Sequence, residues 1–217
     1  MKTLVAIPMK DTRDAKTRLA PLLSPSRRAH LALTLFDRAL DFFGAMPEAE
    51  RVVVTSSRSI AARSLAAGAM VLDEGSVKGL NQAATIALRW ARANAFDRLV
   101  VVPADIPVWL SQEVNLLLMS SKQHDVVIAA AHDGGTNALV LNLGRVWAFE
   151  FCYGLQSACK HESVCAVRGL SCETRWLPFL AHDIDTVEDC LVMSQTLLQA
   201  KVHKPILPAT GEPVARI

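Results

Sequence analysis

No glycine precedes Gly44 in this 217-residue chain, which excludes a glycine-rich, phosphate-cradling loop near its start. Net charge is only +2, so no global basic field argues for nucleic acid, and any electropositive site must be local. Apolar runs long enough to span a bilayer are absent. So is a charged region leading into an apolar segment and a small-residue cleavage site; a cytoplasmic protein is expected. The five cysteines (Cys152, Cys159, Cys165, Cys172, Cys190) contain no Cys-x-x-Cys pair. Four of them lie between 152 and 172 with His161 among them, but zinc fingers and ribbons usually need a closely spaced pair. Reduced, mostly buried thiols are therefore expected. Internal repeats and interdomain linkers are likewise missing.

What is present is a dense core. Hydrophobic residues make up 51% of the chain, and a chain of this length fits one domain able to bury a substantial interior. That domain is expected over residues 1–200, with a loosely held tail over 201–217.

The apolar run Leu4 to Ile7 reads as a first strand. Ser24-Pro25 is a helix start, a capping hydroxyl followed by proline at the first helical position. Ala29, Ala32, Leu35, Phe36, Ala39, Leu40 and Phe43 then recur at helical spacing. Arg51 to Thr55 predicts a buried strand, residues from about Ser59 a short helix stopped at Gly68, and Ala69 to Leu72 another strand. A long amphipathic helix follows Gly79, then a strand over Leu99 to Val102. Ser111 is expected to cap a helix over 112–121, before a strand over Asp125 to Ala130. This alternation predicts right-handed strand–helix–strand units and a mainly parallel sheet. Beyond Gly134-Gly135 the rhythm changes: a strand over Ala138 to Leu143, a helix over 156–167, a weak strand over Thr174 to Leu177, and a last helix over Val187 to Gln199 opened by Asp185 or Thr186. The fold class is α/β, a mixed but mainly parallel sheet flanked by helices.

Lys10, Arg13, Lys16 and Arg18 crowd the loop that leaves the first strand. Ligands of open α/β sheets sit just beyond the carboxyl ends of strands, and four cations collected there suit a polyphosphate. Asp105 stands in Val-Val-Val-Pro-Ala-Asp-Ile-Pro at the carboxyl end of another buried strand. Asp183 and Asp185 flank Ile184; on an extended segment both carboxylates face one side while Ile184 turns to the core. Three carboxylates converging on one sheet edge suit Mg²⁺, although an Asp after a strand also serves as a turn residue and Asp185-Thr186 also reads as a helix cap. Gly134-Gly135-Thr136-Asn137 offers amide donors and a hydroxyl to an anion, or a simple turn between strands. Gly154, Ser157 and the helix N-terminus that follows would point at negative charge, with His161 one turn later.

Taken in order, Ala15-Lys16-Thr17-Arg18-Leu19-Ala20-Pro21, Gly79-Leu80-Asn81, Pro103-Ala104-Asp105-Ile106-Pro107, Gly134-Gly135-Thr136-Asn137, Phe151-x-Tyr153-Gly154-x-x-Ser157-x-x-x-His161 and Asp183-Ile184-Asp185-Thr186-x-Glu188-Asp189 form a set. It resembles the guanylyltransferases of deazaflavin coenzyme F-420 biosynthesis that act on 2-phospho-L-lactate, phosphoenolpyruvate or 3-phospho-D-glycerate. The resemblance covers residues 3–195. It implies a single-domain, Rossmann-like GT-A nucleotidyltransferase fold, with GTP as donor and a small phosphorylated carboxylic acid as acceptor. It implies Mg²⁺ on Asp105, Asp183 and Asp185, a triphosphate met by Lys16 and Arg18 with Lys10 nearby, and a nucleotide pocket lined by Gly79 and Asn81. Asp105, Lys16 and Arg18 would carry the catalysis. Thr136, Gly154 and Ser157 would bind the acceptor, with His161 beside them. Implied partners are a downstream transferase using a deazaflavin acceptor and a second copy of the chain, with no nucleic acid and no membrane.

Ala158, where the family often has Phe, and Cys152 and Cys159 depart from its pattern and reshape the acceptor pocket. Arginine outnumbers lysine about two to one, a bias of GC-rich bacterial genomes, which by the resemblance leans the acceptor toward 3-phospho-D-glycerate or phosphoenolpyruvate. Enzymes of the same fold that modify sugars or the molybdopterin cofactor commonly carry the early glycine-rich loop that is missing here. A catalytically idle nucleotide-binding domain is the alternative from another class, and three aspartates beside a basic loop count against it.

Overall fold

The computed structural model describes residues 1–13, 15–76, 79–189 and 191. Its sheet is built from β1 (Thr3–Pro8), β2 (Ala49–Thr55), β3 (Met70–Asp73), β4 (Arg98–Val101), β5 (Val126–Ala130), β6 (Thr136–Asn142) and β7 (Cys172–Trp176). These stand in the order β3-β2-β1-β4-β6-β5-β7. β1 to β4 run parallel, β6 is antiparallel to both β4 and β5, and β7 is parallel to β5. The change of rhythm after Gly134-Gly135 is therefore the entry of the reversed strand β6.

Both faces of the sheet are covered, which is why the strands read as continuous apolar runs rather than alternating ones. Leu4 and Ala6 of β1 pack with Val52, Leu99, Leu139 and the small residues Ala83, Ala84, Ala87 and Ala91 of α3 (Leu80–Ala93), and this layer continues to Ala158 and Cys165 of α5 (Ser157–Val167). Val5 and Ile7 point the other way, into Phe36, Leu40 and Phe43 of α1 (Pro25–Gly44), Ile60 of α2 (Arg58–Ala66) and Val114 and Leu117 of α4 (Ser111–Ser120). The alanine face of α3 lets that helix approach the sheet closely. No helix among the described residues is long and apolar enough to cross a membrane.

Helix ends follow the sequence in most places. Ser24 accepts the Arg27 N–H and Pro25 begins α1, and Gly68 turns at φ +74° beyond α2. Thr186 is the cap of the last helix: its hydroxyl accepts the Asp189 N–H while Asp189 accepts the N–H groups of Thr186 and Asp185, a reciprocal box. The remainder of that helix and the tail over 201–217 lie outside the described residues. Ser111 does not cap α4. It is the first helical residue, and the capping position belongs to Leu110, which offers no side-chain acceptor. The weak strand lies two residues earlier than its apolar pattern suggested, over Cys172–Trp176, because pairing with β5 sets its bounds. Of the described cysteines only Cys165 is fully buried; all four are free thiols, Cys152 and Cys172 are half-buried and Cys159 is exposed. Cys152 lies in a loop, Cys159 on the outer face of α5 and Cys172 on the edge strand β7.

One contact of α4 positions the site directly. The buried Glu113 accepts the backbone N–H groups of Phe179 and Leu180 at 3.0 and 2.8 Å, fixing the segment that carries Asp183 and Asp185. Its removal strands two amide donors, one of them in the fully buried Leu180. Glu113→Ala is therefore expected to lower unfolding free energy by about 2–4 kcal/mol, measured by urea denaturation; a loss below about 0.5 kcal/mol would remove this anchor from the account.

Candidate active site

A cleft of about 720 Å³ opens where β1 to β4 end. Parallel strands deliver their successors to one edge, and β1, flanked by β2 and β4, is where connections diverge to either side, so a crevice forms there. Pro8, Met9 and Lys10 enter it from β1, Ser56 and Ser57 from β2, Glu74 from β3, and Pro103, Ala104 and Asp105 from β4; Gly79 and Leu80 close it at the start of α3.

Lys16 occupies the floor. Its backbone is left-handed at φ +52°, an uncommon conformation for a residue with a side chain, and its ammonium lies 2.8 Å from Asp105 Oδ2 and 2.7 Å from Asp185 Oδ1. The side chain is only 7% exposed. Burial alone would lower its pKa, but the charges and hydrogen bonds of Asp105 and Asp185 outweigh that and raise it. Arg18 reaches the same Asp185 at 3.9 Å from a largely exposed position.

The carboxylate oxygens of Asp105, Asp183 and Asp185 lie within 4.8 Å of one another, the one cluster of this kind among the described residues. Asp183 shows the strain: burial, and then the charges of Asp105 and Asp185, push its carboxyl up to about 6. Ile184 turns into a small core with Leu19 and Leu35, and its N–H donates to the Asp105 carbonyl, so Asp183 and Asp185 both meet Asp105, with Asp105 and Asp185 lining the cleft. A crowded, all-oxygen set with more negative charge than one lysine balances fits a hard divalent cation such as Mg²⁺.

The second half of the site adjoins this cluster through Asn137, whose amide donates to Asp183 at 3.4 Å. Thr136 opens β6, and its hydroxyl receives the Ser157 hydroxyl at 3.0 Å and lies 3.1 Å from His161 Nδ1. His161 Nε2 accepts the Cys152 N–H at 2.9 Å, which leaves the proton on Nδ1 to donate to Thr136. The ring is completely buried, and burial holds its pKa down at about 4. His161 thus stands behind Thr136 as a neutral strut. Gly154, exposed and at φ +122°, lies three residues before Ser157.

Gly134-Gly135 do not offer free amides. Gly134 N–H bonds Ala131, Gly135 N–H bonds the Asp133 carboxylate, and a Cβ on Gly134 would lie 2.7 Å from the Gln156 amide. The pair is a tight turn packed under Gln156, and Asn137 is the part of the motif that touches the aspartate cluster. Asn81 also departs from a simple lining role. Its side chain accepts Tyr153 N–H at 2.7 Å and donates to Tyr153 carbonyl at 3.4 Å, clamping the 151–154 loop to the first turn of α3. Glu74 and Ser57 line the cleft and Glu113 braces the aspartate segment. Sequence reasoning passed over all three, because an isolated Glu or Ser after a strand carries no periodic or spacing signal.

Comparison with known proteins bears on this arrangement. The model of the CofC-like guanylyl transferase family matches residues 3–197. The chain belongs to that family. It is 40% identical over 191 residues to a 3-phospho-D-glycerate guanylyltransferase of Colwellia psychrerythraea, covering 87% of this chain and 90% of that one. It is 36% identical over 191 residues to a 2-phospho-L-lactate guanylyltransferase of Methanothermobacter thermautotrophicus, covering 87% and 82%. The fold is also that of a solved nucleotidyl transferase from Methanothermobacter, with a TM-score of 0.59 and 15% identity over 91% of this chain and 97% of the other. The nucleotidyltransferase architecture expected from the sequence is thus present.

Two predictions come from the struts of this CofC-like site. Asn81→Ala frees the 151–154 loop, so acceptor KM is expected to rise about tenfold while the GTP dissociation constant stays within about twofold; equal loss of both would place Asn81 against the nucleotide. His161 is expected to stay neutral, with its proton on Nδ1, down to about pH 4 in imidazole NMR. The unfolded chain takes up that proton near 6.5, so this residue lowers stability as pH falls from 6.5 to about 4. A native titration midpoint near 6.5 would contradict its burial behind Thr136.

Proposed function

We propose that the chain transfers GMP from GTP to the phosphate of a small phosphorylated carboxylic acid, releasing pyrophosphate, with 3-phospho-D-glycerate the first acid to test because the relative at 40% identity bears that name. The observation that carries the reading is the crowding of Asp105, Asp183 and Asp185 around Lys16 on the floor of the cleft, beside the buried Thr136–Ser157 pair. Such a cluster is costly to fold and becomes useful when further positive charge and a polyphosphate enter.

The acceptor phosphate is already largely dianionic near neutral pH, since its second pKa is about 6. It needs no general base. One of its oxygens forms a bond to the α-phosphorus of GTP as the bond from that phosphorus to the β-bridging oxygen breaks, and the electron pair leaves on pyrophosphate. The barrier is repulsion between anions, so positioning and electrostatics supply the catalysis. Lys16, Arg18 and Lys10 bring positive charge to the triphosphate. Asp105, Asp183 and Asp185 would hold Mg²⁺, which when bound neutralises charge on the triphosphate and the departing pyrophosphate. Thr136, Ser157 and the exposed Gly154 backbone hold the acid, with His161 fixing the Thr136 hydroxyl from behind. The guanylylated product is an activated diphosphate, suited to a downstream transferase with a deazaflavin acceptor, as in coenzyme F-420 biosynthesis. A cytoplasmic homodimer fits this role.

Purified protein incubated with GTP, Mg²⁺ and, separately, 3-phospho-D-glycerate, phosphoenolpyruvate or 2-phospho-L-lactate should yield a guanylylated acid by mass spectrometry, with the transferase and its deazaflavin included to trap a labile product. Absence of product from every acid, with GTP binding intact, would defeat the reading. Asp105→Asn removes charge at constant volume and is expected to cut turnover about 100-fold or more in a folded protein. Thr136→Val should instead raise acceptor KM with GTP affinity unchanged; equal losses of both would undo the division of the site.

A further inference from the structure

The cleft is long. Its Lys16–Asp105–Asp185 end lies at β1 and β4, and its other end lies at β3, where Glu74 follows the strand directly. In the order β3-β2-β1-β4 those ends are three strand spacings apart, about 14 Å, a span that a nucleoside triphosphate covers from phosphates to base. With the phosphates drawn to the lysine end, the base falls between β2 and β3.

Glu74 is buried to all but 8% and still lines the cleft. A buried carboxylate is costly without donors, and it repels phosphate, so it has no use at a polyphosphate end. One oxygen accepts the Gly79 N–H at 2.7 Å. Gly79 itself sits at φ +129°, ψ 157°, a conformation essentially restricted to glycine, so this bond locks both the turn and the carboxylate. A carboxylate has about four acceptor positions, and among the described residues the second oxygen has no protein donor. The Gly79 bond fixes the group, and the group lines the cleft.

We propose that Glu74 reads the guanine base, accepting N1–H and the exocyclic 2-amino group side by side. This rests on the guanylyl-transfer reading given above and adds the residue that selects the nucleotide. The chemistry is selective. Guanine presents two adjacent donors on that edge, whereas adenine presents a ring acceptor at N1, whose lone pair meets the carboxylate. Cytosine and uracil also place an acceptor beside their donor. A site built to satisfy a hydrogen bond rejects analogues that lack it more strongly than an apolar pocket rejects a misfit.

Calorimetric binding of GTP, inosine triphosphate, 1-methyl-GTP and ATP to the full chain, without acceptor, tests this. The unaltered protein should bind GTP at least tenfold more tightly than inosine triphosphate, which lacks the 2-amino group, or 1-methyl-GTP, which lacks the N1 proton. Glu74→Gln keeps an oxygen for the Gly79 N–H and turns an amide NH₂ toward the base. It should lower GTP affinity about tenfold to a hundredfold and collapse the preference over ATP, with the circular dichroism spectrum unchanged. Glu74→Ala should lose the same preference. Variants that retain the GTP-to-ATP ratio would overturn the proposal and leave Glu74 as a brace for Gly79. Equal loss of GTP and ATP by the variants, with the 2′-deoxy nucleotides binding them as well as they bind the unaltered protein, would overturn it in favour of a ribose contact. An unaltered protein that binds no GTP at all would instead overturn the guanylyl-transfer reading, and this proposal with it.

Discussion

Three carboxylates held within 4.8 Å of one another repel, and the protein tolerates them because the Lys16 ammonium lies across two of them. The ammonium is largely out of water while Asp105 and Asp185 are partly exposed, so loss of both partners would leave a buried positive charge uncompensated. Much of the surrounding structure serves to hold it. The left-handed backbone at Lys16 aims the side chain inward, Ile184 anchors the segment between Asp183 and Asp185, and Asp189 ties down the Asp185 and Thr186 amides. Burial and then the residual repulsion of Asp105 and Asp185 push the Asp183 carboxyl up to about 6. One lysine does not balance three aspartates, and on the proposed function that imbalance would suit the floor of the cleft to a divalent cation and a polyphosphate.

Two further links turn this charged floor into a site with two sides. Asn137 joins the aspartate cluster to Thr136 and its buried hydroxyl–imidazole network, and Asn81 joins the start of α3, beside the cleft, to the 151–154 loop. Neither asparagine needs to touch a reacting atom to matter. In the proposed transfer they would set the distance between donor and acceptor, which for a reaction between two anions is much of what a protein can contribute.

The strand and helix pattern was legible because both sheet faces are buried and the long helices α1 and α3 each have an apolar stripe. Leu4 to Ile7, the Ser24-Pro25 start and the alanine face after Gly79 all carried their positions in local chemistry. The aspartates were legible too: Asp105 by its place after an apolar strand, Asp183 and Asp185 by the two-residue period. What the sequence did not display were side chains whose role is defined by a distant partner. Glu113 binds backbone 66 positions away, and Asn81 binds backbone 72 positions away. The Gly134-Gly135 pair misled for a related reason: Asp133 and Gln156 engage the turn, and neither contact is written in the glycines. Ser111 looked like a cap because its residue type suits one, but the chain reaches helical geometry at that residue rather than after it.

The account turns on the cation place among Asp105, Asp183 and Asp185. Crystals grown with Mn²⁺ and an unreactive GTP analogue would show it by anomalous scattering. The predicted result is a metal peak among the three carboxylates, with the Lys16 ammonium moved from Asp105 and Asp185 toward the phosphates. A bound nucleotide with no metal peak there, and Lys16 still lying across Asp105 and Asp185, would contradict the account.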